Sequence, residues 1–406
     1  MPLSYARLAL GVALTNVASG VLYAVLPLVE VSLGGGTLLA TLIIALPLLA
    51  QTLASFLWGA LSDRLGSSRK LLLGGLVGEG LLFLGYPFLP SVALLVVRIA
   101  QAGLAAVIIL ASALATGDDR RSAGRNLGGL GVWGSVGSVV GLLVALPLVM
   151  VAHFELGSAL GFALLFVLAG CTIAAALVFS TAGEVVRTPS RVPWRHALRF
   201  PRGSRVLAYS VSTIPLAVGN YLVYSVLPLY VDDVLGRGGF FGVVLNGTSQ
   251  VVIFTLAAAA AGVPVSTWIG NKVDRVAWRR RMIALTPLVY ASLWFAFAST
   301  TDYGLVLLLW SLPVFSFLSI ALIRELAAES HLSDRGRAIG LWSATYNAGG
   351  VAGGVIAGLT LGSPLSFRSL FILAGSLDLV TALAYPWILR GGFQGSPGEA
   401  PSLGVK

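Results

Sequence analysis

The chain has 406 residues, 57% of them hydrophobic and only 10% charged, with a mean hydropathy of +0.92. A soluble fold of this size needs more charge to cover its surface, so most of the outside is expected to face lipid. One cysteine, Cys171, excludes an internal disulfide, and three scattered histidines make no metal cluster.

Apolar runs separated by short polar breaks lie at 6–30, 37–62, 70–89, 91–116, 126–150 and 157–180. A second set follows at 206–231, 239–269, 282–300, 303–327, 337–361 and 369–389, the eighth run long enough to bend near Pro264. Each approaches or exceeds the ~20 residues that cross a hydrocarbon core. Helices are expected throughout, because a barrel would need short alternating strands. The first run follows Arg7 and is too long for a signal core, with no convincing cleavage site, so it is expected to be retained as a span.

Lys and Arg set the orientation. Alternate breaks hold Arg64, Arg69 and Lys70, then Arg120, Arg121 and Arg125, then six arginines from Arg187 to Arg205, then Lys272 to Arg281, then Arg335 and Arg337. The opposite breaks hold mainly acids: Glu30, Glu155, Asp232, Asp233 and Asp302. Both termini are therefore expected in the cytoplasm of a multi-pass plasma-membrane protein. The net charge of +10 is a topology signal rather than a nucleic-acid patch.

The chain also repeats itself. "LPL" at Leu26–Leu28 recurs at Leu227–Leu229, each three residues after a tyrosine, Tyr23 or Tyr224. "GRNLG" at Gly124–Gly128 recurs as "GRAIG" at Gly336–Gly340. Gly59, Asp63, Arg64, Arg69 and Lys70 find counterparts in Gly270, Asp274, Arg275, Arg280 and Arg281. The reading is an all-α fold of twelve transmembrane helices in two parallel six-helix repeats, 1–180 and 206–390. A basic linker spans 181–205 and a disordered tail 391–406. Such an arrangement suits a carrier with its site between the halves, opening alternately to either side; a channel or scaffold is the competing reading.

In the turn after the second run, Gly59 permits close helix approach, Asp63 can accept from a neighbouring helix or pair with arginine, and Arg64, Arg69 and Lys70 hold the interface. Bonds made in one carrier state and broken in another would form a gate latch; the competing reading, a topology anchor, explains the basic residues but not the repeated Gly-x-x-x-Asp-Arg spacing. Gly59-x-x-x-Asp63-Arg64 with Arg69-Lys70, echoed at Gly270–Arg281, resembles the loop signature of the major facilitator superfamily. "RIAQAG", Arg98 to Gly103, resembles its helix-4 Arg-x-x-Gln-Gly signature, with Ala102 in place of the glycine. The resemblance implies that the loop clamps the cytoplasmic side and that Arg98 takes part in proton coupling. It is nearest to the drug/proton antiporter-like branch, although "GSVVG" at Gly137–Gly141 lacks that branch's proline.

Arginine in lipid costs roughly 2.5 kcal/mol or more, so Arg98 should face the interior, with Gln101, Ala105 and Ser112 on one helical face; the alternative is that it snorkels to the outer interface. Glu79 and Asp378 are the acids deepest in apolar runs and are the candidate proton carriers, or else bond to neighbouring helices. Asn16, Tyr23, Gln101, Tyr221, Tyr224, Asn246, Gln250, Tyr346 and Asn347 are candidate cavity residues, several on the helices that line the cavity in this superfamily; each could equally be an interhelical bond. The glycines from Gly131 to Gly141 and from Gly349 to Gly358 fit close helix packing, and the GxGxxG at Gly129–Gly134 has no strand before it to bind a dinucleotide.

No side-chain constellation for catalysis is present, and neither a cofactor nor a metal is expected. The expected function is proton-coupled efflux of a small apolar or amphipathic solute by a monomer. The alternatives are uptake of a sugar or organic anion, or a non-transporting receptor on the same fold.

Overall fold

The computed structural model describes residues 3–65, 67–116, 123–150, 155–181, 204–235, 239–240, 243–244, 246–273, 275–312, 321–323, 325–326, 335–361 and 366–390. Backbone groups inside lipid must find partners within their own segment, and the chain answers with helices. The first six spans are α1 (Leu3–Ser32), α2 (Gly36–Leu65), α3 (Ser68–Phe83), α4 (Ser91–Ala105), α6 (Ala123–Met150) and α7 (Ala159–Thr181). A 3-10 turn at Ala106–Ile108 carries α4 on into α5 (Ile109–Thr116). Gly34 and Gly36, at φ of 82° and 67°, make the turn from α1 to α2 in a backbone region that side chains disfavour.

The second six begin with α8 (Ser204–Tyr224) and α9 (Leu227–Asp233), two pieces of one span, and continue with α10 (Gly247–Lys272) and α11 (Val276–Ser299). The tenth span is described as α12 (Tyr303–Trp310) and helical residues 321–323 and 325–326, followed by α13 (Arg335–Leu361) and α14 (Phe367–Leu389). Among the described residues nine stretches are long and apolar enough to cross a membrane. The helix of the third run is shorter, at 16 residues, and α13 carries Thr345, Tyr346 and Asn347 mid-helix.

The eighth run differs from expectation. Helix α10 starts only after Asn246, whose side chain accepts from Ser249 N and caps it. Before it, Gly239–Phe240 pairs antiparallel with Val243–Val244 in a short hairpin (β1, β2). Hydropathy alone continued the run through Phe240 and Val243, while the Asn cap sets the true start. Helix α10 passes through Pro264 without a break in its helical assignment. The expected linker and tail lie outside the described residues, apart from Thr181 at the end of α7 and the start of α8.

Packing repeats as the sequence does. Helix α1 packs on α6 and α7, and α3 on α7; in the second set α8 packs on α13 and α14, and α11 on α14. The sets join through two further pairs, α2 with α13 and α6 with α10. Glycine makes these approaches possible. A Cβ on Gly137 would sit 1.9 Å from the Ala13 carbonyl of α1, and one on Gly354 would sit 2.3 Å from the Ala45 side chain of α2. Outward-facing apolar side chains such as Leu57, Phe88, Phe166 and Leu383 are 60%, 74%, 62% and 79% exposed, a surface that only lipid covers favourably. The chain is a multi-pass membrane protein.

Candidate functional site

Between the two sets lies a cavity of about 420 Å³. Helix α1 contributes Ser19, Leu22, Tyr23 and Leu26, and α2 contributes Ile43, Ile44 and Leu48. Arg98 enters from α4, Tyr221 and Tyr224 from α8, Trp310 from α12 and Tyr346 from α13. Of the residues expected at the site, the fold thus brings Tyr23, Arg98, Tyr221, Tyr224 and Tyr346 to one wall or another. Trp310, missed in the sequence, lies seven residues into the tenth apolar run, and only that position could have marked it.

The aromatic wall is continuous. Tyr224 lies with its ring 5.2 Å from Trp310, 5.8 Å from Tyr221 and 6.1 Å from Trp294, all edge-on, and Tyr221 lies 6.0 Å from Tyr346. Edge-to-face contacts of this kind favour a rigid cage.

A hydrogen bond joins the two halves at this wall. Pro228 has no N–H, so the Tyr224 carbonyl four residues earlier loses its helical donor, and the span breaks between α8 and α9. The Tyr23 hydroxyl of α1 donates to that carbonyl at 2.8 Å. A second tie runs from Asn347 Nδ2 of α13 to Thr52 Oγ1 of α2 at 2.6 Å.

Behind the cavity wall, Arg98 Nη1 donates to Gln101 Oε1 at 2.8 Å, and the Tyr86 hydroxyl donates to the same oxygen. Gln101 Nε2 in turn points to Glu79 Oε1 at 3.5 Å. Gln101 is fully buried and Glu79 nearly so, which seats both behind Arg98 rather than on the cavity wall. Arg98 Nε is buried with no hydrogen-bond partner.

The remaining candidates sit elsewhere. Asp378 of α14 is fully buried against α8, its carboxylate without a hydrogen bond and faced by the Trp294 indole. The Asn16 side chain donates to its own helix at Val12 O, 2.9 Å. Asn246 caps α10 and also donates to Val149 O of α6 at 2.9 Å, while Gln250 is buried on α10.

Of the loop residues, Arg69 and Lys70 are exposed in the first turn of α3, and Arg275 and Arg281 are exposed at the start of α11. Asp274 and the side chains of Asp63 and Arg64 lie outside the described residues. Gly59 lies in α2, and Gly270 meets Gly128 of α6, where an added Cβ on Gly128 would stand 3.1 Å from its Cα. Arg280 Nε reaches Glu325 at 3.3 Å, and the buried Arg279 holds the other Glu325 oxygen at 2.5 Å and also donates to Val273 O at 3.3 Å. Arg279 and Glu325 were not singled out in the sequence. Their partnership spans 46 residues, and only the presence of an acid inside the tenth run hinted at it.

Residues 8–330 match the Major Facilitator Superfamily, and the chain belongs to that family. It is a transporter of that fold rather than an enzyme. The fold is similar to a point mutant of the nucleoside transporter NupG, at TM-score 0.74 and 14% identity over 95% of this chain and 99% of that one. It is also similar to the human organic anion transporter MFSD10 (TETRAN), at 0.69 and 18% over 95% and 100%, and to NupG itself, at 0.69 and 15% over 96% and 100%. No curated protein shows significant sequence similarity to the chain.

Proposed function

We propose that the chain carries a small amphipathic solute through the cavity by alternating access, coupled to protons, as a monomer in the plasma membrane with both termini in the cytoplasm. The observation that carries this reading is the aromatic cavity on the seam, walled by both repeats. A site built from two rigid bundles can change the side it faces without being rebuilt. The apolar and aromatic lining favours a solute with a substantial apolar body.

Export in exchange for protons is one direction. Import of an organic anion is the second reading, and the half-buried cation Arg98 on the wall favours it. The turns after α2 and α10 serve as latches, and the Arg279–Glu325 pair supports this for the second copy. Purified protein in liposomes under a pH gradient should accumulate drugs or carboxylates in a way that a protonophore abolishes. If no drug, sugar or carboxylate moves while a ligand drives binding of a partner protein, the receptor reading replaces transport.

A further inference from the structure

We infer that Arg98 recognises an anionic group on the solute and that Glu79 is its stand-in counter-ion when the cavity is empty, so that one proton is taken up with each anion bound. This rests on the reading that the seam cavity holds the transported solute.

Arg98 presents its guanidinium to an otherwise apolar and aromatic cavity, with Nε buried and unpartnered. A guanidinium in such a place needs a negative charge within reach, since an uncompensated buried ion is costly. The Gln101 amide supplies the link, accepting from Arg98 at 2.8 Å and pointing to Glu79 at 3.5 Å. Glu79 is the only acid on α3, α4 or α7. The groups facing it are Gln101, Arg98 and the Tyr86 hydroxyl. Helix α7, packed on the other side of α3, carries no charge, and its one titratable group is Cys171.

Helix α2 has its charges at Asp63 and Arg64, at the end where Arg69 and Lys70 open α3. Glu30 of α1 is bonded to Ser91 at the start of α4, about 10 Å along the helix from Arg98 at 1.5 Å per residue. Among the described residues, the other titratable groups lining the cavity with Arg98 are the phenols of Tyr23, Tyr221, Tyr224 and Tyr346.

The charge count then constrains the chemistry. Empty, the set is half-buried Arg98 cation with buried Glu79 anion, net zero. A solute carboxylate or similar monoanion at Arg98 adds one negative charge, and the set returns to zero when a proton from water adds to the Glu79 carboxylate. Anion and proton therefore enter together.

The test measures binding by calorimetry on the full-length protein in detergent, using ω-phenyl carboxylates from phenylacetate to phenylhexanoate and their uncharged amides. These carboxylates are already ionised at pH 6 and above. At pH 6 at least one carboxylate should bind tenfold or more tighter than its amide. Its affinity should fall by up to about tenfold per pH unit as pH rises, the slope of one linked proton. At pH 8, buffers of different ionisation heat should report about one proton taken up per carboxylate and none per amide. Arg98→Gln should erase the preference for the carboxylate, and Glu79→Gln should keep the preference but abolish proton uptake.

Equal binding of every carboxylate and its amide, binding of neither, or proton uptake that persists in Glu79→Gln overturns the inference. If Glu79→Gln cannot be purified, the proton count on the unaltered protein still decides, zero being fatal. Counterflow of the amides in liposomes separates the two levels. Amide movement with no carboxylate preference leaves transport standing and removes the anion assignment, whereas carboxylate binding without counterflow of any probe does the reverse.

Discussion

The two repeats solve the same local problem differently at Pro27 and Pro228. Each proline frees the carbonyl of a tyrosine four residues back, Tyr23 or Tyr224. In the first repeat α1 runs on through Pro27 unbroken from Leu3 to Ser32. In the second the helix stops at Tyr224 and restarts at Leu227. The difference is in who fills the carbonyl. Tyr23 reaches across the seam to the Tyr224 carbonyl at 2.8 Å, while the Tyr224 hydroxyl turns away to Tyr290 at 3.5 Å. Duplication delivered two equivalent parts, and pairing them across an interface made them unlike. The same divergence runs through the cavity, where the first repeat supplies the cation Arg98 and the second most of the aromatic cage.

The sharpest break falls on a feature described only in the second repeat. Glu325→Ala should leave Arg279 buried without its partner and cost about 3–5 kcal/mol, read as a lowered melting temperature in detergent. Gly137→Ala should force α1 from α6, because the new Cβ falls on the Ala13 carbonyl, costing about 1–3 kcal/mol. Gly349→Ala, which meets the Ile214 carbonyl at 2.9 Å, is its second-repeat counterpart and should cost less.

Smaller and more telling is Tyr23→Phe. It should remove about 0.6 kcal/mol of membrane hydrogen bonding and raise the population open at that wall, measured by cysteine accessibility in the cavity. Tyr224→Phe should change this population less, since it deletes only a 3.5 Å contact. Equal effects of the two would mean that the repeats are functionally alike at this point.

Much of the architecture was legible because lipid permits so few solutions. Twelve apolar runs had to be helices, and the interior position of Arg98 followed from its cost in hydrocarbon. What stayed hidden depended on pairing at a distance. Gln101 shares a helical face with Arg98, which suggested a cavity lining. Only the packing of α3 on α4 reveals that Glu79 and Tyr86 claim its amide. Asn347 read equally as a wall residue or an interhelical bond, and only the structure names its partner, Thr52 of α2. Arg279 looked like one basic residue among several, because its acid partner comes from a different span. Periodicity reports which way a side chain leans and is silent on what it meets.

The tie between Tyr23 and Tyr224 has an unequal genetic footprint. Its acceptor is a main-chain oxygen that all twenty amino acids possess, so no replacement at 224 can delete it. Codon 228 is where the tie can be lost from the second repeat, since any residue other than proline restores an amide that competes with the Tyr23 phenol for the same lone pairs.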